Sequence, residues 1–198
     1  RKILISGGGR CNILPSEVDP RWFVTDSSPH SLRNILHGWP HQAQRRFFEE
    51  ELRLPLALEE ESGKLFPASN RARDVRDRLL EHARARGADV RFGAVLTGLA
   101  ATDGGWQLDL ERGASLRARL VVLATGGLSV PTTGSDGTGL RLATRLGHVM
   151  HPTYPALTPL TTTAARWTAL SGVSLDAQLT APPETPEYRR RQGFLFTH

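Results

Sequence analysis

One cysteine in 198 residues, Cys11, excludes an internal disulfide and any cysteine-based zinc site. Lysine is nearly as scarce: Lys2 and Lys64 are the only two, so almost all of the positive charge is arginine. No run approaches the roughly 18 consecutive apolar residues that a membrane span requires, and no charged-then-apolar leader opens the chain. The expectation is a protein that does not cross a membrane and works in the cytoplasm. His30, His37, His41, His82, His148 and His151 show no metal-ligand spacing with carboxylates or with one another, so no metal site is expected. No internal repeat or low-complexity segment is present, and no residue pair has the look of a nucleophile with its base.

What is there is the makings of a folded core. Hydrophobic residues are 39% of the chain, and the usual 100 to 200 residues per domain, roughly, suggest one domain or two small ones. The chain opens on Arg1 rather than Met, and both ends lie in strand-like apolar text ("KILIS", "GFLFTH"), which reads as a segment of a longer protein. The formal charge is +5 with a pI near 10.3. The arginines are scattered among acids, as in "NRARDVRDRLLEHARARG", which reads first as a solvated helix face and second as a functional basic surface.

The opening "KILISGGGRCN" poses the first question of function. An apolar run, Ile3 to Ile5, feeds into three glycines as the first strand and turn of a dinucleotide-binding unit would. The fingerprint GxGxxG, however, puts its third glycine where Asn12 stands, and it needs a helix to start at once so that free amides meet the pyrophosphate. Pro15 and Pro20 follow instead, each removing a donor and driving its predecessor out of the helical region. Gly7 to Gly9 are therefore expected to form a loop whose bare backbone admits a close neighbour, with Arg10 and Asn12 as donors beside it.

Downstream, "SLRNILHGWPHQAQRRFFEEEL" predicts two short helices broken at Gly38 and Pro40, and "LPLALEEESGKLFP" two short strands about a turn at Ser62 and Gly63. A helix over 71–86 follows, capped by Ser69 or Asn70, with Val75, Leu79 and Ala83 on its inner face and Gly87 ending it. The period then switches to two: "ADVRF", "AVLTGLAA" and "WQLDL" predict a small antiparallel meander. The continuous apolar run Leu120 to Ala124 predicts a parallel strand buried on both faces, ending in Thr125, Gly126 and Gly127. A glycine loop then leads into a helix from about Leu140 to Leu146, whose N-terminus offers free amides. Prolines at 152, 155 and 159 and many threonines place a domain boundary near Thr153.

Taken together, "RKILISGGGRCN", "GKLFPASNRARDVRDRLL", "VVLATGGLSVPTTGSDGTG", "LGHVMHPTYPALTPL" and "FLFTH" resemble the BaiN-like flavoproteins, bacterial NAD(P)/FAD-dependent oxidoreductases, in order and spacing over nearly the whole chain. The resemblance implies an α/β fold: a Rossmann-like FAD-binding domain over residues 1–152, partial because its first strand and GxGxxG turn lie upstream, with a β-meander, and from 153 to 198 the start of an inserted β-rich substrate domain. It also implies the cofactor contacts. Gly7, Gly8, Gly9, Arg10, Cys11 and Asn12 would line the flavin end of FAD, and Arg1 and Lys2 its adenosine side. The backbone of Val95 would meet the adenine, Ala124, Thr125, Gly126 and Gly127 would form a second contacting turn, and Ser129, Thr133 and Gly134 lie in the matching loop before the helix. Two departures stand out: "CNILPS" replaces the family's Thr-Asn after its apolar residue, and "SDGTG" has Thr138 where the family carries an acid, with Asp136 two positions earlier.

Other chemistry-bearing residues have plainer readings. Cys11 is either a redox thiol or a small buried hydrophobe. His198 is either a proton donor or a surface residue, and Asp74 and Asp77 are surface partners of the arginines on their helix. Two functions follow. In the first, FAD takes electrons from NADH or NADPH and reduces an electron-poor carbon–carbon double bond in a small-molecule or nucleobase-like substrate. In the second, the chain is a cofactor-free remnant acting as a basic module that binds a partner such as RNA.

Overall fold

The computed structural model describes residues 1–23, 28–155, 161, 163–175 and 194–195. The chain divides into two compact units, Arg1–Met150 and His151–His198. The first combines helices with small antiparallel sheets, an α/β fold.

The first unit begins with one helical turn, α1 (Lys2–Ile5), and the glycine turn Ser6–Gly9. Strand β1 (Leu14–Pro15) then joins β2 (Leu56–Glu59) and β3 (Lys64–Pro67) in an antiparallel sheet of order β1-β3-β2, with Leu14 opposite Leu65 and Leu58 opposite Leu65 on the other side. Between β1 and β2 run α2 (Pro29–Gly38) and α3 (His41–Arg46), parted at Trp39–Pro40 because proline cannot continue the first helix. Helix α3 passes into a wider turn, Phe47–Glu51.

Helix α4 (Ala72–Ala85) lies against α1 and supplies the centre of the core. Ala72 and Val75 are buried there with Cys11, Leu52 and Leu54, and Ile3, Ile13, Phe47, Phe48 and Leu79 close around them. Gly87, at φ 82°, ends the helix as the sequence predicts. Its start differs from the expectation: Arg71 is the N-cap and no side chain caps it, while the Ser69 hydroxyl serves the Asp74 carboxylate instead.

The meander is β4 (Leu96–Thr102), β5 (Gly105–Leu110) and β6 (Ser115–Ala118), antiparallel in that order, with a register shift between Leu96 and Gly98. Helix α5 (Thr138–Arg145) packs on β4. In the second unit the described elements are α6 (Ala165–Thr168) and the antiparallel pair β7 (Ser174–Leu175) and β8 (Phe194–Leu195).

Three sequence expectations are corrected. Ile3 to Ile5 are helical, because among the described residues no strand pairs with them and one turn lets Ile3 reach the core. Ala88 to Phe92 form no strand: the segment enters a turn at Phe92 and Gly93, and Phe92 is 70% exposed. The run Leu120 to Ala124 is not a buried parallel strand either. Pairing of β6 with β5 stops at Ala118, and Leu120 and Val122 stand 86% and 87% exposed with no strand alongside among the described residues. An apolar run states what a strand would bury, not whether a neighbour is present to bury it.

Candidate functional site

The first glycine loop is built by backbone twist. Gly7, Gly8 and Gly9 all lie in the left-handed region, at φ 56°, 66° and 83°. A residue with a Cβ loses about 1 to 2 kcal/mol there. The turn is closed by the Cys11 amide donating to the Ser6 carbonyl at 2.9 Å and by the Ser6 hydroxyl donating to the Ile3 carbonyl at 3.1 Å. The glycines differ in surroundings. A Cβ on Gly7 would stand 2.8 Å from both the Asn12 nitrogen and a Phe66 ring carbon, whereas one on Gly8 would meet nothing within 4 Å. Gly7 is thus needed for packing, and Gly8 presents open backbone.

Arg10 ties this loop to the first sheet. Its guanidinium donates to Glu59 Oε1 at 2.7 Å and lies 4.1 Å over the Phe66 ring. The Glu59 carboxyl is held below the usual carboxylate range, first by the Ser62 hydroxyl and then by Arg10. Cys11 has φ 66° and a side chain only 6% exposed, packed in the core, so the buried-hydrophobe reading describes its thiol. Asn12 is exposed beside the loop, and Arg1 is exposed at the chain start.

The second loop runs from Ala124 to Asp136. Gly126 is left-handed at φ 74°, and a Cβ on it would come within 3.1 Å of Ser135 Oγ. Gly127 and Gly134 are open, with nothing within 4 Å of an added Cβ. Thr133 fastens the tip, its hydroxyl donating to the Val130 carbonyl at 2.7 Å. Asp136 settles into a capping position: its Oδ1 accepts from the Thr138 amide at 3.0 Å and from the Thr138 hydroxyl at 2.7 Å. Those bonds, the hydroxyl's first, hold its carboxyl below the ordinary value, with Arg141 assisting.

Sequence reasoning missed how tightly this loop seats on α5. A Cβ on Gly139 would lie 2.1 Å from Thr125 Oγ1, and one on Gly137 would lie 2.8 Å from Leu128. The signal was legible in "DGTGL", since glycine inside a helix costs roughly 0.5 to 1 kcal/mol and marks close approach.

The two loops are joined. Lys2 Nζ donates to the Ser129 carbonyl and, at 3.3 Å, to Ser129 Oγ, which brings the chain start to a residue 127 positions away. No hydrogen bond among the described residues ties Val95 to either loop; it stands just before β4, its carbonyl accepting from the Glu111 amide at 2.9 Å. His198 lies outside the described residues. Around Gly8, Gly127 and Gly134, which present bare backbone, the loops offer Arg1, Lys2, Arg10, Asn12, Ser129 and Thr133, while the nearby carboxylates of Glu59 and Asp136 are taken up by Arg10 and Thr138. That chemistry fits a dinucleotide, whose diphosphate needs positive donors and whose flat ring needs room at the backbone.

A groove of about 450 Å³ along α4 is lined by Arg71, Asp74, Arg78 and Glu81 among others. There the guanidiniums and carboxylates satisfy one another, Arg71 with Asp74 at 3.1 Å and Arg78 with Glu81 at 3.2 Å.

Comparison with known proteins gives the family. Residues 1–182 match the family described as HI0933-like protein Rossmann domain. The chain is 29% identical, over 91% of its length, to a 3-dehydro-bile acid delta(4,6)-reductase of Clostridium scindens. It is 30% identical, over its full length, to the ribosomal RNA dihydrouridine synthase of Escherichia coli and 28% identical to that of Haemophilus influenzae. It spans about half the length of these curated relatives, 43%, 48% and 49% respectively. With a match over so much of the sequence and two linked glycine loops of the right chemistry, the chain belongs to the HI0933-like Rossmann family, the flavoprotein family that its motifs resemble.

Proposed function

We propose that the protein is an FAD-dependent oxidoreductase that reduces an electron-poor carbon–carbon double bond with electrons from NADH or NADPH. Residues 1–152 contribute to the flavin-holding domain, and 153–198 begin the inserted substrate domain. The observation that carries this reading is the pair of glycine loops, with open backbone at Gly8, Gly127 and Gly134, braced by Lys2 and Ser129. The relatives' names share one chemistry, since "delta(4,6)" denotes two double bonds and dihydrouridine is uridine with two hydrogens added across one.

FAD, when bound, would supply hydride transfer, a step for which no side-chain constellation stands among the described residues. The residues of this chain bind and orient. Arg1 and Lys2 would offset charge on the adenosine side, Gly7 to Asn12 would receive the ring end, the Val95 backbone would meet the adenine, and Ala124 to Gly127 with Ser129, Thr133 and Gly134 would form the second contact. Backbone amides in the glycine loop favour negative charge on the reduced ring. The cofactor is held without a covalent link, because no histidine or tyrosine stands in either loop and the Cys11 thiol is packed in the core. Reduction adds a hydride to one alkene carbon and a proton to the other, so one proton donor is needed, and His198 is the candidate within this sequence. A lone cysteine packed in the core suits a reducing, cytoplasmic setting.

An anaerobic stopped-flow experiment tests the reading. The full-length protein is reduced with NADH or NADPH and mixed with a small enone or with uridine-containing RNA. Reoxidation of the flavin by an unsaturated acceptor is the expected result. Rapid reoxidation by oxygen alone, with no acceptor competing, would make the enzyme an oxidase instead.

A further inference from the structure

Residues 28–46, which hold α2, the Trp39–Pro40 break and α3, contain no carboxylate, although the chain carries 20. Basic groups fill the segment instead. On α2, His30, Arg33, Asn34 and His37 fall at i, i+3, i+4 and i+7, which puts them on one face, and all four are exposed. Arg45 is held by Glu49 at 3.0 Å, but Arg33 and Arg46, both exposed, have no ion-pair partner among the described residues.

Exposed apolar side chains belong to the same stretch of chain. Trp39 is 50% exposed and is set edge-on against Phe47, with ring centroids 5.7 Å apart. The Trp39 carbonyl accepts from Gln44 Nε2 at 2.7 Å, which fixes the break between the helices. Ile35 is 71% exposed, and Trp22, also exposed, belongs to the turn Pro20–Trp22 that packs on α2.

The combination selects a ligand class. A purely apolar partner would strand unpaired guanidiniums away from water, which is costly. A simple anion would leave the indoles without a role. A single-stranded nucleic acid answers both, because its phosphates take the cations and its unstacked bases offer flat faces to the rings, whereas a duplex keeps those faces hidden.

We infer that the α2–α3 surface seats a single-stranded stretch of RNA substrate, with Arg33 and Arg46 on phosphates and Trp39 stacked on a base. This rests on the nucleobase branch of the function proposed above and names the substrate's recognition surface.

The test uses the full-length, flavin-loaded protein and a labelled uridine-rich single-stranded RNA followed by fluorescence anisotropy across a salt series, with a duplex of the same sequence alongside. The single strand should bind tighter than the duplex. The double variant Arg33→Glu/Arg46→Glu should flatten the slope of log affinity against log salt by about 1.4, two phosphates at roughly 0.7 each on a single strand. Trp39→Ala should bind about tenfold more weakly while Trp39→Phe retains most of the affinity, as stacking requires. Because the charge-reversed positions are exposed, flavin content should not change. RNA binding that is indifferent to the arginine pair and to Trp39, or absent from a protein that still reduces a small enone, would overturn the inference and leave the reductase reading intact. A colourless protein that binds RNA through this face would do the opposite, supporting the surface and removing the flavin.

Discussion

Gly7 and Gly8 share a left-handed backbone but not a neighbourhood, and that difference separates fold from ligand at the scale of single residues. In Gly7→Ala the new methyl would press on the Asn12 backbone nitrogen, which cannot swing away as a side chain can. The strain of about 1 to 2 kcal/mol would add to roughly 1 to 3 kcal/mol of overpacking, and denaturant unfolding should show the sum. Gly8→Ala meets no atom, so it should lose only the strain and yet purify with much less flavin; a full flavin complement in that variant would make Gly8 an ordinary turn residue. Cys11 is the other residue with two readings. With Leu52, Leu54, Ala72 and Val75 around it, Cys11→Ser should cost about 1 to 3 kcal/mol for an unpartnered hydroxyl. The native thiol should react slowly with thiol reagents, and fast labelling of the folded protein would contradict its buried placement. The loop at Gly7 to Asn12 was visible in the sequence as a set of glycines. Which of them packs and which stays open was not, because it depends on how the loop folds back on Asn12 and on Phe66, which lies more than fifty positions away.

At the scale of elements, the legible ones were those whose partners are local. The helix expected over 71–86 is found at Ala72–Ala85, and the strand–turn–strand readings around Gly63 and Gly104 hold, because a helix bonds to itself and a hairpin to its own continuation. Where burial depends on distant chain the reading failed, as at Leu120 to Ala124 and Ala88 to Phe92. Val75, fully buried on α4, makes the helix's contribution measurable: Val75→Ala should cost about 2 kcal/mol from lost apolar burial. Helix α5 offers a test by pH. Since the folded pKa of Asp136 is depressed, its capping bonds stabilise the fold at pH values above the ordinary carboxylate value of 3.8 and are lost as pH falls through the lowered one. The stability gap between the native protein and Asp136→Ala should therefore be full near neutrality and close in strong acid. A gap that stayed constant across that range would mean that the charge of Asp136 plays no part.

For the chain as a whole, a single cysteine leaves no disulfide within this sequence, and no described helix is long and apolar enough to cross a membrane. The family was legible because its motifs are loops, whose glycines announce themselves without knowledge of packing. The bracing of those loops by Lys2 and Ser129 was not, since nothing in either local sequence points to the other. The central claim is that these braced loops hold FAD, and it is tested most directly by the visible spectrum of the purified full-length protein before and after denaturation. The account predicts a flavin spectrum from the native protein and, once it is denatured and spun down, all of the colour in the supernatant as FAD. Colour retained in the pellet would contradict non-covalent binding, and a colourless protein that takes up no added FAD would contradict the claim itself.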